Sequence, residues 1–85
     1  MEEDLRKTIQ EKIKQNKVII GKRETIKAAK EGTIEFIVYA DNADEKTVKA
    51  LDSLEIKKYK YEGDSEALSI LCGKPFNVLV LGVEK

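Results

Sequence analysis

Short runs of β-branched and aromatic residues alternate along this chain with segments whose apolar residues recur at helical spacing. The runs are typical of strands, and the segments between them are typical of amphipathic helices. Alternation at this spacing predicts a layered α/β domain, in which a mostly buried four-stranded sheet has helices on both sides. The strands are expected at Val18–Ile20, Ile34–Ala40, Lys57–Tyr61 and Phe76–Val83.

Four helices are predicted from the spacing of apolar residues and from residues that begin or end helices. The first covers about residues 1–15, and the second runs from about Lys22 to Glu31, with Gly32 suited to its C-terminus. Asp44 is placed to cap the third helix, and Ser65 to cap a short fourth one. The core is expected to contain Leu5, Ile9, Ile13, Ile26, Ala29, Phe36, Tyr39, Val48, Leu51, Leu54, Leu68 and Leu71.

The length of the chain, 85 residues, predicts a single small domain covering residues 1–85. The sequence contains no apolar run of membrane-spanning length, and its acidic start, Met1–Asp4, is unlike a secretory signal. One cysteine, Cys72, cannot form an internal disulfide, which agrees with a reducing compartment. We therefore expect a cytoplasmic protein with no membrane partner that is monomeric when free.

The formal net charge is +0, which alone argues against a general affinity for nucleic acids. The charges are nevertheless unevenly distributed, because the first 30 residues hold nine basic and five acidic side chains. The remaining residues hold seven basic and eleven acidic ones. This asymmetry predicts one basic face on an otherwise acidic body, suited to a structured site rather than to any phosphate.

Catalytic and metal chemistry is not indicated by the residue types present. The sequence contains no histidine, which removes the commonest general base and imidazole ligand. With Cys72 as the single cysteine, a zinc or iron–sulfur site is not expected, and this residue is predicted to be a small buried apolar side chain. Neither a catalytic site, a metal nor a cofactor is therefore predicted.

The segment Gly21–Lys30 is the strongest functional signal in the sequence. A strand leads through Gly21 into a helix whose first turn carries Lys22, Arg23 and Glu24. The positive end of the helix dipole, two cations and one carboxylate suit a polyanion with readable edges, which means nucleic acid. The alternative is a solvated helix face, on which Glu24 interacts with the dipole and the lysines contact only water.

Four sequence blocks resemble the archaeal and eukaryotic family of large-subunit ribosomal protein thirty, within a wider superfamily of RNA-binding proteins that recognise kink-turns. The likeness extends from about Lys17 to Val83, and its most specific part is the Gly-x-Arg-Glu-x-x-Lys pattern that begins at Gly21. The resemblance implies a three-layer α/β/α sandwich around a four-stranded mixed sheet. The blocks are Lys17–Lys27, Ile37–Ala43, Tyr59–Gly63 and Cys72–Phe76.

A kink-turn is a bent RNA helix with sheared G·A pairs and an extruded base, and the resemblance implies how it would be bound. Gly21 would allow close backbone approach, Arg23 would contact guanine acceptors or phosphate, and Glu24 would accept from guanine N–H groups. Tyr61 would pack on the displaced base. The residues that the resemblance assigns to the RNA are Gly21, Lys22, Arg23, Glu24, Lys27, Asn42, Tyr61, Gly63 and Asp64.

Other interpretations of the sequence remain open. Tyr61 could be a half-buried strand residue, and Asn42 a turn former. The implied function is binding of a kink-turn in ribosomal RNA within the large subunit. The chain could instead bind a guide or regulatory RNA outside the ribosome. It could also be a protein-interaction module that has lost RNA binding, and an enzyme is the least favoured alternative.

Overall fold

A computed structural model describes the chain from Glu2 to Lys85, and its side chains from Leu5 onward. Helices and strands alternate after the first helix, as the apolar spacing predicted. The fourth strand is shorter than expected, since it begins at Val80 rather than at Phe76. The elements are α1 (Glu2–Lys14), β1 (Val18–Ile20), α2 (Lys22–Lys30), β2 (Ile34–Tyr39), α3 (Glu45–Asp52), β3 (Lys57–Lys60), α4 (Ser65–Cys72) and β4 (Val80–Glu84).

The four strands form one mixed sheet in the order β1-β4-β2-β3. Strand β4 is antiparallel to both β1 and β2, whereas β2 and β3 are parallel and are joined through α3. The C-terminal strand therefore lies between two strands that precede it in the chain. Helices cover both faces, which confirms the expected α/β/α sandwich with a four-stranded mixed sheet.

Side chains alternate between two apolar clusters, one on each face of the sheet. Leu81 and Val83 of β4 pack with Ile9 of α1 and Leu68 of α4 on one face. Val80, on the other face, packs with residues of α2 and α3, including Leu51. This alternation follows from the pleat of a strand, in which successive side chains point to opposite faces.

Glycine at position 82 allows α2 to pack closely on the centre of the sheet. A Cβ atom at Gly82 would lie 2.9 Å from Cγ2 of Thr25 and 2.9 Å from Cδ1 of Ile34. Thr25 is fully buried at this contact. Since α2 begins immediately after β1, this close packing also fixes where the first turn of α2 lies.

Several smaller expectations are corrected or confirmed by the structure. The cap of α4 is Asp64 rather than Ser65, because the Asp64 carboxylate accepts a hydrogen bond from the Ala67 N–H at 2.9 Å. Cys72 is buried as expected, and burial raises the pKa of its thiol.

Of the three apolar residues expected to be buried by the third helix, Leu51 is fully buried, whereas Val48 and Leu54 are only half-buried. Between residues 2 and 85, no helix has both the length and the apolar character needed to cross a membrane.

Candidate nucleic-acid interface

The residues assigned to a binding site by the sequence lie mainly along one edge of the sheet. Strands β1, β2 and β3 point the same way, so their carboxyl ends meet the amino end of β4 at this edge. We call it the loop edge. It comprises Gly21–Glu24, Ala40–Asp44, Tyr61–Ser65 and Phe76–Leu79.

Backbone hydrogen bonds tie the four segments of the loop edge together. The Gly21 N–H donates to the Val80 carbonyl at 3.0 Å, and the Ala40 N–H donates to the Leu79 carbonyl at 2.8 Å. The Asp41 N–H donates to the Gly63 carbonyl at 2.9 Å. Because these bonds link segments distant in sequence, the loop edge is a preformed surface rather than a set of independent loops.

Gly21 has a backbone conformation that requires glycine and leaves space in front of it. Its φ is 109° and its ψ is 147°, a region that residues with a Cβ rarely adopt. A Cβ built there meets nothing within 4 Å. Gly21 is the N-cap of α2 and offers no side-chain cap, so the first N–H groups of the helix are available to an external acceptor.

The charged side chains of the first turn of α2 are exposed to solvent. Lys22, Arg23 and Glu24 project from the helix beside Gly21. Lys27 is also exposed but lies one turn farther along α2, where it lines a shallow depression with Glu24, Glu31 and other residues. The structure thus brings Gly21, Lys22, Arg23 and Glu24 together, with Lys27 on their flank.

Two exposed apolar residues on the loop edge were missed by the sequence analysis. Phe76 is 54% exposed and Leu79 is 39% exposed, although both were predicted to lie in the last strand. Their backbone instead forms the loop before β4, in which the Val78 N–H donates to the Ser65 carbonyl at 3.1 Å. The signal available in the sequence was the Gly-Lys-Pro turn directly before Phe76, which places this aromatic residue in a loop.

The ring of Tyr61, which the resemblance assigns to the displaced base, is buried in this structure. Its side chain is 6% exposed and belongs to the core cluster of the α1 and α4 face. Gly63 lies against the ring, since a Cβ at Gly63 would come within 2.8 Å of Cε2 of Tyr61. This contact covers the ring with the loop that follows β3, and the assignment of Tyr61 to the RNA stays a prediction.

Asn42 and Asp64 make hydrogen bonds within the protein while remaining exposed. The Asn42 Oδ1 accepts from the Ser65 N–H at 2.9 Å, and its Nδ2 donates to the Ser65 Oγ at 3.3 Å. Asp64 caps α4. Both side chains hold the loops after β2 and β3 in position, a structural role that the sequence did not reveal. Their assignment to the RNA stays a prediction.

Charge changes sign along the loop edge. The end at β1 carries Lys22 and Arg23, whereas the loops after β2 and β3 carry Asp41, Asp44, Glu62 and Asp64. The Thr47 hydroxyl donates to the Asp44 carboxylate, and this bond holds the pKa of Asp44 below its usual value.

Because the carboxylates lie in the loops after β2 and β3, a polyanion is favoured at the β1 end of the loop edge alone. We call this part, Gly21–Glu24 with Phe76–Leu79, the β1 corner.

The β1 corner presents groups whose chemistry suits a polyanion that has aromatic or polar edges. It combines helix N–H groups, a guanidinium, an amine and a carboxylate with the exposed ring of Phe76. Among the residues described by the structure, no group of three or more acidic or cysteine side chains is arranged to hold a metal ion.

Comparisons with known proteins agree with this architecture. The model of the Ribosomal protein L7Ae/L30e/S12e/Gadd45 family matches residues 3–85. The chain is 37% identical over 81 residues to the large ribosomal subunit protein eL30 of Methanoregula boonei, covering 94% of this chain and 84% of that protein. It is 32% identical over 77 residues to eL30 of Methanosarcina mazei, covering 91% of this chain and 75% of that protein.

A solved structure, that of a 15.5kD RNA binding protein from Giardia lamblia, has the same fold with a TM-score of 0.77. The match covers 95% of this chain and 71% of that one, at 20% sequence identity. The family resemblance drawn from the sequence blocks is confirmed by the family match and by the archaeal relatives. This chain belongs to the Ribosomal protein L7Ae/L30e/S12e/Gadd45 family.

Proposed function

We propose that this chain is a non-catalytic RNA-binding protein of the large ribosomal subunit, and that it recognises a kink-turn in ribosomal RNA. The observation that carries the proposal is the β1 corner, where an uncapped helix N-terminus, exposed Arg23 and Glu24, and exposed Phe76 lie on one edge of the sheet. The protein would act without a cofactor, as a monomer when free, and would be ribosome-associated in the cytoplasm.

The chemistry of a kink-turn matches the groups at the β1 corner. The bend crowds phosphates together, and the N–H groups at the start of α2 and the Lys22 ammonium can donate hydrogen bonds to them. Sheared guanines turn unpaired edges outward, where Arg23 can donate to guanine acceptors and Glu24 can accept from guanine N–H groups. Irregular RNA of this kind is readable, whereas the major groove of regular A-form RNA is too narrow for side chains.

An aromatic surface for the extruded base is supplied by Phe76 in this proposal. Phe76 is the exposed aromatic side chain of the β1 corner, whereas Tyr61 is covered. Base stacking on an aromatic side chain contributes about 1–3 kcal/mol, so one ring in the right place has a large effect on affinity.

The relatives support the same function. The matched proteins of Methanoregula boonei and Methanosarcina mazei are large ribosomal subunit proteins, and the Giardia lamblia protein with the same fold binds RNA. The coverage of more than nine-tenths of this chain in each comparison supports carrying the function over to the whole chain rather than to a fragment.

Measurement of RNA binding by the purified protein tests whether it recognises a kink-turn. The protein is expected to bind a hairpin with a kink-turn about 100-fold more tightly than a hairpin whose sheared G·A pairs are replaced by Watson–Crick pairs, because two guanine contacts are lost at about 1–3 kcal/mol each. The logarithm of the affinity should also fall as the logarithm of the salt concentration rises, because Lys22 contacts phosphates. Titration of both labelled hairpins at several salt concentrations measures both quantities. Equal affinity for the two hairpins would contradict kink-turn recognition.

Sedimentation tests the ribosomal assignment separately. The tagged chain, expressed in an archaeal host, should migrate with large ribosomal subunits in a sucrose gradient, because the proposed RNA is part of that particle. Arg23→Ala combined with Glu24→Ala should move it to the top of the gradient, since both side chains belong to the β1 corner. Recovery of the unmodified chain only with small RNAs would instead support the guide-RNA or regulatory alternative.

A further inference from the structure

A groove beside the β1 corner carries positive charge and is not used by the contacts proposed above. It lies between the C-terminal half of α1, strand β1 and the end of α4, with Ile13 shared by its two parts. Its floor is apolar, and its rim carries two lysines and two amides. The rim residues are Lys14, Lys74, Gln10 and Asn16.

The groove reaches the residue that precedes the β1 corner in the chain. Ile20, which lines the groove, is followed by Gly21 of the corner, and Lys74 on the rim precedes Phe76 by two residues. Lys14 and Lys74 are both exposed. A ligand that leaves the corner on this side therefore meets a groove whose lining includes both lysines.

Electrostatics favour this groove over the other routes away from the β1 corner. On the α2 side of β1, the depression that contains Lys27 is also lined by three carboxylates, those of Glu24, Glu31 and Glu84. The route across the loops after β2 and β3 passes Asp41 and other carboxylates. Among the residues described by the structure, those that line the groove include no carboxylate. A phosphate backbone is repelled along the first two routes and attracted along the third.

We propose that one arm of the bound RNA leaves the β1 corner along the α1–α4 groove, where Lys14 and Lys74 contact its phosphates. This inference rests on the proposed function, since it needs an RNA seated at the β1 corner. It adds a second phosphate contact region on the other face of the sheet from α2, and it sets the direction in which the RNA arm runs.

The test compares three kink-turn hairpins. In one hairpin both arms are cut back close to the kink. In each of the other two, one of the arms is extended by one helical turn. Lys14→Gln with Lys74→Gln should weaken binding of the hairpin extended on one arm by roughly tenfold, because two phosphate contacts are lost. The same variant should bind the hairpin with short arms as tightly as the unmodified protein does. The salt slope for the extended hairpin should fall by roughly 1.4–1.8.

A matched control is available at the opposite edge of the sheet. Lys57→Gln with Lys60→Gln removes the same charge from β3, the strand farthest from β1, and both lysines are exposed. The affinity of this control for every hairpin should stay within about twofold of that of the unmodified protein, because no phosphate contact is lost. Equal weakening by the two double variants, or no gain from extending either arm, would overturn the groove assignment. Failure of the unmodified protein to bind the short-armed hairpin would instead overturn the proposed function.

Discussion

Replacing Arg23 and Glu24 together by alanine is expected to abolish retention of a kink-turn RNA in a gel shift at moderate salt. Both side chains are exposed at the first turn of α2, and neither belongs to the two apolar clusters. Each contact to a guanine edge contributes about 1–3 kcal/mol, so the double variant should lose about 100-fold or more in affinity. Thermal unfolding should change little, because surface substitutions of this kind usually alter stability by about 0.5 kcal/mol or less.

The matched control for this variant is Lys60→Ala with Glu62→Ala. It also removes one cation and one carboxylate, both exposed, but from the end of β3 on the acidic part of the loop edge. Its affinity for the kink-turn hairpin should stay close to that of the unmodified protein. Unchanged binding by the Arg23 and Glu24 variant would refute the assignment of the RNA site to the β1 corner.

Gly82→Ala is expected to lower the free energy of unfolding by about 1–3 kcal/mol, the usual cost of overpacking a core. The added methyl group would lie 2.9 Å from Cγ2 of Thr25, which has little freedom to move because threonine is branched at Cβ. Relief requires α2 to move away from the sheet. Since the first turn of α2 forms half of the β1 corner, affinity for the kink-turn hairpin should fall as well. Chemical denaturation and RNA titration of the same sample measure the two effects.

Thr25→Ser provides the test of mechanism for this second prediction. It removes only Cγ2, and it keeps the Thr25 hydroxyl, which has no hydrogen-bond partner among the residues that the structure describes. In the Thr25→Ser background, Gly82→Ala should cost much less stability, so a double-mutant cycle should give a favourable coupling of about 0.5–3 kcal/mol. Additive effects of the two substitutions would show that the contact between α2 and β4 does not cause the loss.

The order of helices and strands was predictable because it depends on local periodicity. Ile9 on an amphipathic helix and Ile37 in a continuous apolar strand are both fully buried, as their spacing indicated. The strand–glycine–helix junction was also predictable, since Gly21 interrupts the apolar run just before helical spacing begins. Within the candidate site, this junction is the part whose charged groups and helix N-terminus could be identified from the sequence alone.

Exposure along the loop edge was harder to predict because it depends on contacts between segments distant in the chain. The nearly continuous run of apolar residues from Phe76 onward is typical of a strand, but the carbonyls of Leu79 and Val80 accept hydrogen bonds from the loops after β2 and β1. Tyr61 follows a polar strand, yet the backbone of Gly63 closes over its ring. Local sequence patterns therefore could not predict that the exposed aromatic side chain of the loop edge is Phe76 and not Tyr61.

The sequence by itself determined the elements of this protein, its α/β class and the cationic start of α2, because each depends on residues a few positions apart. Only the tertiary structure decided which loops share an edge, which aromatic ring faces solvent and where negative charge limits the β1 corner. The reason is the insertion of β4 between β1 and β2. That pairing joins residues 65 positions apart, Val18 with Val83, and no local pattern specifies it.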